Sequence, residues 1–450
     1  MGSYFKSYED DIYFFIPMTV KPNDDPKKKR KKNYDPNKAA FDLISKANLR
    51  KIVETSDEDD DDEEDGEELS FGDMFCNVLQ AHVEYECNHS TFRELKRIYL
   101  GEFDLACYDD DYDGTVLDTE KSYLFVTAHK KTGLYIVTVA VPNNHYIPTQ
   151  LIDQMSTNHL AIKDEETGEY VLVAEYMEKR FGLIACGEAK CVICLSKEPE
   201  DRTELGYMLA AETYVSEHID YHIRPNRIDA LLQSRAYYDY YNSYISRSVI
   251  AFIFKDYSAD IEERVENEAS EIFIVEIVLF QNSAVLRTNR RVMDELGDND
   301  AITNEEIEEL YMEFGKTMQF WTPNVYKYPF AQLEANEVVE SFGIAKTLEE
   351  YYRNQQFLDR LIELRGNIAD EKSDKQTNLI LYILSCIEGA SITLGAVSWF
   401  VRVIGTSRLT PEWLQIVNNI AGFSWVLVFV TGAVLFKLIF DRKLRKSKKY

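Results

Sequence analysis

Two long apolar stretches near the end of the chain constrain its fold more than any other feature. Leu379 to Val401 runs for 23 residues with Glu388 as its single charge, and Leu414 to Phe440 runs for 27 with only Lys437. About 20 apolar residues suffice to cross the hydrocarbon core of a bilayer as a helix. The stretches therefore predict transmembrane helix 1 over 377–404, an external loop over 405–413, transmembrane helix 2 over 414–440 and a basic tail over 441–450. Trp399, Trp413 and Trp425 suit interface aromatics. Two buried helices of a water-soluble protein are the alternative.

Basic residues set the orientation. Lys372 and Lys375 precede the first span and the tail is rich in Lys and Arg, whereas the loop holds only Arg408. The positive-inside rule places both termini in the cytoplasm of a multi-pass protein of the inner (plasma) membrane. Lys437, Arg442, Lys443, Arg445, Lys446, Lys448 and Lys449 against Asp441 give the tail +6, so a net charge of −28 leaves −34 on the remainder. A body this acidic suits cations and argues against nucleic acid as a partner.

Read on a helix, Asn378, Ser385, Glu388, Ile392, Gly395 and Trp399 share one broad face of the first span. A carboxylate at that depth costs at least ~2.5 kcal/mol unless it meets water, a partner or a pore. The face reads either as pore-lining or as a helix–helix contact that Gly389, Ser391, Gly395 and Ala396 keep close. Two helices cannot enclose a pore or readily shelter a carboxylate, so both readings require a homo-oligomer in the lipid bilayer.

Upstream, residues 1–70 read as one strand, Ile12 to Val20, followed by a charged and disordered loop. The loop carries the basic run Lys27 to Lys32 and an acidic run from Asp57 to Glu68, and such blocks are usually solvated. Residues 71–256 read as a cytosolic α/β domain. Strands are expected at Tyr123 to Ala128 and Leu134 to Val141 around a Lys-Lys-Thr-Gly turn, and at Tyr170 to Glu175, Leu183 to Cys186, Cys191 to Leu195 and Val249 to Phe254. Helices are expected at Phe92 to Tyr99 and Arg227 to Tyr244.

Residues 257–376 read as long acidic helices and a stalk. No Gly or Pro interrupts Tyr257 to Leu296, and Gly297 supplies a stop. Thr303 and Glu306 form a capping box for a second helix, which ends before Pro323. A third begins near Ala331 and continues toward the membrane with apolar residues at helical spacing. The fold class is thus an α/β cytosolic domain, long helices and a C-terminal two-helix transmembrane hairpin.

Over residues 250 to 450 this organisation resembles the CorA family of metal-ion channels. The resemblance implies a homopentamer whose first span lines the pore, with a Gly-Met-Asn filter for hydrated Mg²⁺ just after it. Gly405, Thr406 and Ser407 occupy the filter-equivalent place, and only the glycine matches. The chain is also similar to CorA-like membrane effectors beside type III CRISPR systems, which implies gating by a nucleotide second messenger and a role in antiviral defence. The leading expectation is a ligand-gated channel or pore diverged from Mg²⁺ transport; a divalent metal-ion transporter and a membrane-anchored binding module are further alternatives.

Arg224, Arg227, Arg287, Arg290 and Arg291 are candidate ligands for an anion, against surface salt bridging as the plainer role. The CorA resemblance also implies that the acidic helices over Glu262 to Glu313 could hold divalent cations between subunits, against a solvated face as the plainer reading. Cys186, Cys191 and Cys194 have spacing suited to zinc or an iron–sulfur cluster, against a plain hairpin of buried thiols. His218 and His222 are ordinary. No phosphate-cradling loop or nucleophile elbow is present in the sequence, so no enzyme is expected.

Overall fold

Strand β1 (Asp10–Val20) sets the register of the sheet. Tyr13 and Phe15 enter one core while Ile12, Phe14, Ile16 and Met18 enter the other. Period-two alternation with both sides apolar is the signature of a strand covered on both faces. The computed structural model describes residues 10–21, 35–58, 71–108, 115–212, 223–257, 260–298, 303–322 and 324–364, with helical positions 377, 378, 381, 388, 395, 399, 412, 415, 416, 419 and 423.

The remaining strands are β2 (Lys96–Tyr108), β3 (Val116–His129), β4 (Leu134–Val141), β5 (Ala161–Lys163), β6 (Tyr170–Leu172), β7 (Leu183–Ala185), β8 (Lys190–Leu195), β9 (Tyr241–Ile245) and β10 (Val249–Phe254). They form one sheet ordered β6-β5-β2-β3-β4-β1-β8-β10-β9, with β7 also on β1. Its pairings are antiparallel except β8 with β10. The outer edge of β9 is partly covered, because the Arg235 amide donates to the Ser243 carbonyl.

Helices cover both faces. Helices α1 (Pro36–Glu58), α2 (Phe71–Glu86) and α3 (Ser90–Arg93) precede β2. Next come α4 (Pro148–Ser156), α5 (Val173–Phe181), α6 (Arg202–Ala210) and α7 (Pro225–Leu231). They are followed by α8 (Ile261–Asp298), α9 (Asn304–Met318), α10 (Pro329–Ser341) and a helix α11 over 344–364. Ala40 of α1, Leu151 of α4, Met177 of α5 and Leu205 of α6 pack on the Ile12 face. Phe75 of α2, Phe273 of α8 and Ala335 of α10 pack on the Tyr13 face. The architecture of this part is three layers, α/β/α, followed in the chain by helices.

Helix α8 is the longest described element. Its 18-residue apolar window has a mean hydropathy of 1.5, so by length and composition it is the one helix among the described residues able to cross a membrane. That window is 83% buried inside the protein, against the sheet, α2, α9 and α10. The spans expected at 379–401 and 414–440 lie largely outside the described residues.

Several expectations match: β1, the β3–β4 hairpin, β7, β8, β10, α8 and the Thr303–Glu306 capping box of α9 are present. Others are corrected. Residues 22–70, expected as a loop, contain α1, which buries Ala40 and Ile44 on the sheet. Phe92 to Tyr99 is not a helix: α3 stops at Arg93 and β2 begins at Lys96, because pairing with β3 claims the rest. Tyr170 to Glu175 is strand only to Leu172 and then turns into α5. Arg227 to Tyr244 divides into the short α7 and β9, the latter claimed by pairing with β10. The third helix is broken at Phe342 and Gly343, whose φ of +71° ends α10.

The chain divides into two compact units, Met1–Leu358 and Asp359–Tyr450. One tight point within the first unit is Gly133, in the β3–β4 turn at φ +67°, where an added Cβ would strike the Asn37 side chain at the start of α1. Gly133→Ala is expected to destabilise the protein by about 1–2 kcal/mol from the left-handed backbone alone, with the contact adding to it, measured as a lowered urea midpoint.

Candidate functional site

Helix α8 carries Glu268, Glu271 and Glu276 into the protein, each at most 3% exposed. A buried carboxyl must be hydrogen-bonded, paired or protonated, and the fold meets this in three different ways.

Glu268 faces the end of the sheet where β1 begins. The Tyr13 hydroxyl donates to its Oε2 (2.5 Å) and the Tyr257 hydroxyl to its Oε1 (3.0 Å). Burial, then the charge of Asp11, push the Glu268 carboxyl well above its usual range. Asp11 itself accepts from the Asn143 amide (2.7 Å) and lies 3.4 Å from Arg264, whose guanidinium also donates to the Asn143 side chain (2.6 Å). Arg264 lies over the Tyr257 ring at 5.3 Å.

Glu271 lies one turn further along and meets Glu334 of α10. The Tyr240 hydroxyl donates to Glu271 Oε1 (2.7 Å), and the Tyr241 hydroxyl stands 2.8 Å from Glu334 Oε2 and 3.4 Å from Glu271 Oε2. Among the described residues neither carboxyl has an ion-pair partner, and Glu334 Oε1 has no donor. Burial raises Glu271, while burial and then the charge of Glu271 push Glu334 up to about 9.

Glu276 is handled by charge. Arg97 of β2 donates to it, and so does the Thr127 hydroxyl of β3. Both side chains of the ion pair are almost fully buried, at 3% and 1% exposure. The three carboxyls thus tie α8 to β1, to α10 and to the β2–β3 pair.

The residues singled out in the sequence are distributed differently. Arg287 donates to the Thr132 carbonyl and to Glu313 of α9. Arg291 pairs with Glu309 at 2.9 Å and lies 3.7 Å from Glu313; Arg290 is exposed. Arg224 and Arg227 are exposed at the start of α7, which packs on α6. The sheet separates the two arginine groups, since α6 lies on the Ile12 face and α8 on the Tyr13 face. They do not form one anion site. A cavity of about 470 Å³ beside α7 is lined by Arg202, Tyr207, Pro225 and Asp229.

Cys191 and Cys194 enter opposite cores of the sheet, because three residues along a strand reverse the face. Burial raises both thiols, and Cys186 to about 11, so the spacing that suggested metal ligation gives three separated, neutral thiols. Among the described residues no group of three or more His, Cys, Asp or Glu is placed to hold a metal. His218 and His222 lie outside the described residues.

In the second unit, Asn378, Glu388, Gly395 and Trp399 are helical and exposed; Ser385 and Ile392, like Gly405, Thr406 and Ser407, lie outside the described residues. Leu381, also helical and 54% exposed, joins them. Positions 378, 381, 385, 388, 392, 395 and 399 alternate steps of three and four, the spacing of a seam between packed helices.

The carboxyl cluster of α8 and α10 is absent from the sequence expectations. Its one signal is the interruption of an apolar run by Glu268, Glu271 and Glu276; Glu334 and the tyrosines come from distant segments. No protein-family model, curated protein or solved structure matches the chain. Truncating Arg97 would leave Glu276 buried without its cation, so Arg97→Met is expected to cost about 3–5 kcal/mol. Adding Glu276→Leu to it should recover most of that loss in chemical denaturation.

Proposed function

We propose that this protein is a CorA-like, homo-oligomeric membrane channel or pore, gated through its cytosolic α/β domain and diverged from Mg²⁺ transport. The observation that carries this reading is Glu388: a carboxylate in the middle of a 23-residue apolar stretch, helical and exposed in the single chain, on a seam with heptad spacing. An exposed seam that holds Leu381, Gly395 and Trp399 as well as an acid wants further copies of the same helix around it. Copies arranged about an axis would give the carboxylates a shared aqueous lumen, where their charge attracts cations and its cost in lipid is avoided.

The two-span hairpin, with both ends in the cytoplasm, places the acidic body and the basic tail on the same side of the membrane. Helix α11 follows α10 in the chain and leads toward the first span, so a rearrangement among α8, α9 and α10 has a covalent route to the pore. The Gly-Met-Asn filter is replaced at Gly405, Thr406 and Ser407; without the Asn amide the ion selectivity differs from that of the Mg²⁺ transporters.

Purified full-length protein in planar bilayers tests this reading. Wild type is expected to give cation-selective currents, and Glu388→Ala to lower both single-channel conductance and cation selectivity. Currents identical in the two proteins, or a monomer in detergent, would overturn the assignment.

A further inference from the structure

We propose that Glu271 and Glu334 form a proton-held latch that fastens α10 to the core helix α8, closed while one proton is held between the two carboxyls and opened when that proton is lost to solvent. The functional consequence, control of the helix leading to the membrane, rests on the channel reading above; the latch itself does not.

The count of donors carries the argument. Two carboxyls offer four oxygens in a site where Glu271 is 3% and Glu334 2% exposed. The surrounding hydroxyls supply few hydrogens. Tyr240 gives its one to Glu271 Oε1, Ser270 stands at 3.4 Å from the same oxygen, and Tyr241 has one to share between Glu334 Oε2 at 2.8 Å and Glu271 Oε2 at 3.4 Å. Glu334 Oε1 receives none. Two facing carboxylates cannot both ionise in such a site, and a proton between them supplies the missing hydrogen bond while removing one charge.

The groups that face the pair from each packed element reinforce this. On α8, Glu268 lies one turn away and is engaged by Tyr13 and Tyr257. On α10, Glu337 is taken by Arg235, with the Tyr237 hydroxyl 3.5 Å from it. From α2, Glu86 is bonded to His82 and its charge reaches Tyr238. From β8, Cys194 feels both Glu268 and Glu271, and Tyr326 beside α10 feels Glu334. Apart from the His82 imidazole and the Cys194 thiol these neighbours are acidic or phenolic; Arg235 is spent on Glu337, and Arg264 lies over Tyr257 on the Glu268 side. The pair therefore keeps its proton at neutral pH, Glu334 being raised to about 9 chiefly by burial.

The direction of the pH effect follows. An unfolded or undocked α10 releases the proton near the ordinary glutamate value of 4.5, whereas the docked pair holds it to about 9. Docking is therefore fully stabilised below about 4.5 and weakens as pH rises toward 9, by one proton's worth. The opening constant of α10 should rise about tenfold per pH unit across that window.

Amide hydrogen exchange of the full-length protein in detergent, followed in peptides covering Pro329–Ser341 from pH 6 to 9, reads this directly. After the intrinsic base catalysis of exchange is divided out, wild type should show about a tenfold loss of protection per pH unit. The double variant Glu271→Gln/Glu334→Gln, which leaves no carboxyl in the site to hold a proton, should be flat. A flat wild-type profile overturns the latch, as does a double variant that keeps the slope; if the double Gln variant does not fold, Glu271→Leu/Glu334→Leu, also without either carboxyl, gives the same comparison. Bilayer currents recorded in parallel separate the two proposals: a pH-graded α10 without current retains the latch and removes the channel, and current with a flat α10 does the reverse.

Discussion

The structure depends on burying a 38-residue helix, α8, that is not wholly apolar. Its apolar residues supply much of the core on the Tyr13 face of the sheet, from Val265 to Ala284. Burial at roughly 25 cal/mol per Å² of apolar surface makes such a helix a strong organiser. The same burial would be prohibitive for Glu268, Glu271 and Glu276 if each were left as a bare anion. The surrounding layers are therefore constrained to bring a donor, a cation or a second carboxyl to each of them, and their positions are read off that requirement.

The connection from α9 to α10 is fastened to α8 by backbone-directed bonds as well. Gln281 donates to the Phe320 carbonyl, Trp321 Nε1 donates to the Gln281 carbonyl, and the Tyr326 hydroxyl donates to the Ile274 carbonyl. Helix α11 has its own attachments: Asn289 donates to the Thr347 carbonyl and the Tyr351 hydroxyl to the Phe314 carbonyl. Between them lies the break at Phe342 and Gly343, where the ammonium of Lys190 sits 5.2 Å from the Phe342 ring. The first unit thus holds its last helices through discrete polar contacts around a backbone break, the kind of arrangement that can have two states without loss of the core.

The readability of the sequence varied with the range of the forces involved. The Thr303–Glu306 capping box and the Lys-Lys-Thr-Gly hairpin are local hydrogen-bond and backbone effects, and both are present as written in the chain. The spacing of Phe92 to Tyr99 and of Arg227 to Tyr244 suits a helix locally, but pairing of β2 with β3 and of β9 with β10 decides these segments. Cys191 and Cys194 suggested a shared ligand, but strand geometry sends them to opposite faces. Of the candidate anion ligands, Arg287 and Arg291 are engaged by Glu313 and Glu309, while Arg224 and Arg227 lie exposed across the sheet from them.

What the sequence determined by itself is whatever runs along the chain: the uninterrupted length of α8, the strand character of Ile12 to Val20, the helix starts and turns, and the two apolar stretches with Glu388 in the first. Only the tertiary structure decided which of these features meet. Glu271 and Glu334 are 63 positions apart (334 − 271), and the tyrosines that serve them are Tyr240, just before β9, and Tyr241, its first residue. No periodicity or motif links them, because a shared proton is a property of two carboxyls in one dry site and not of either segment.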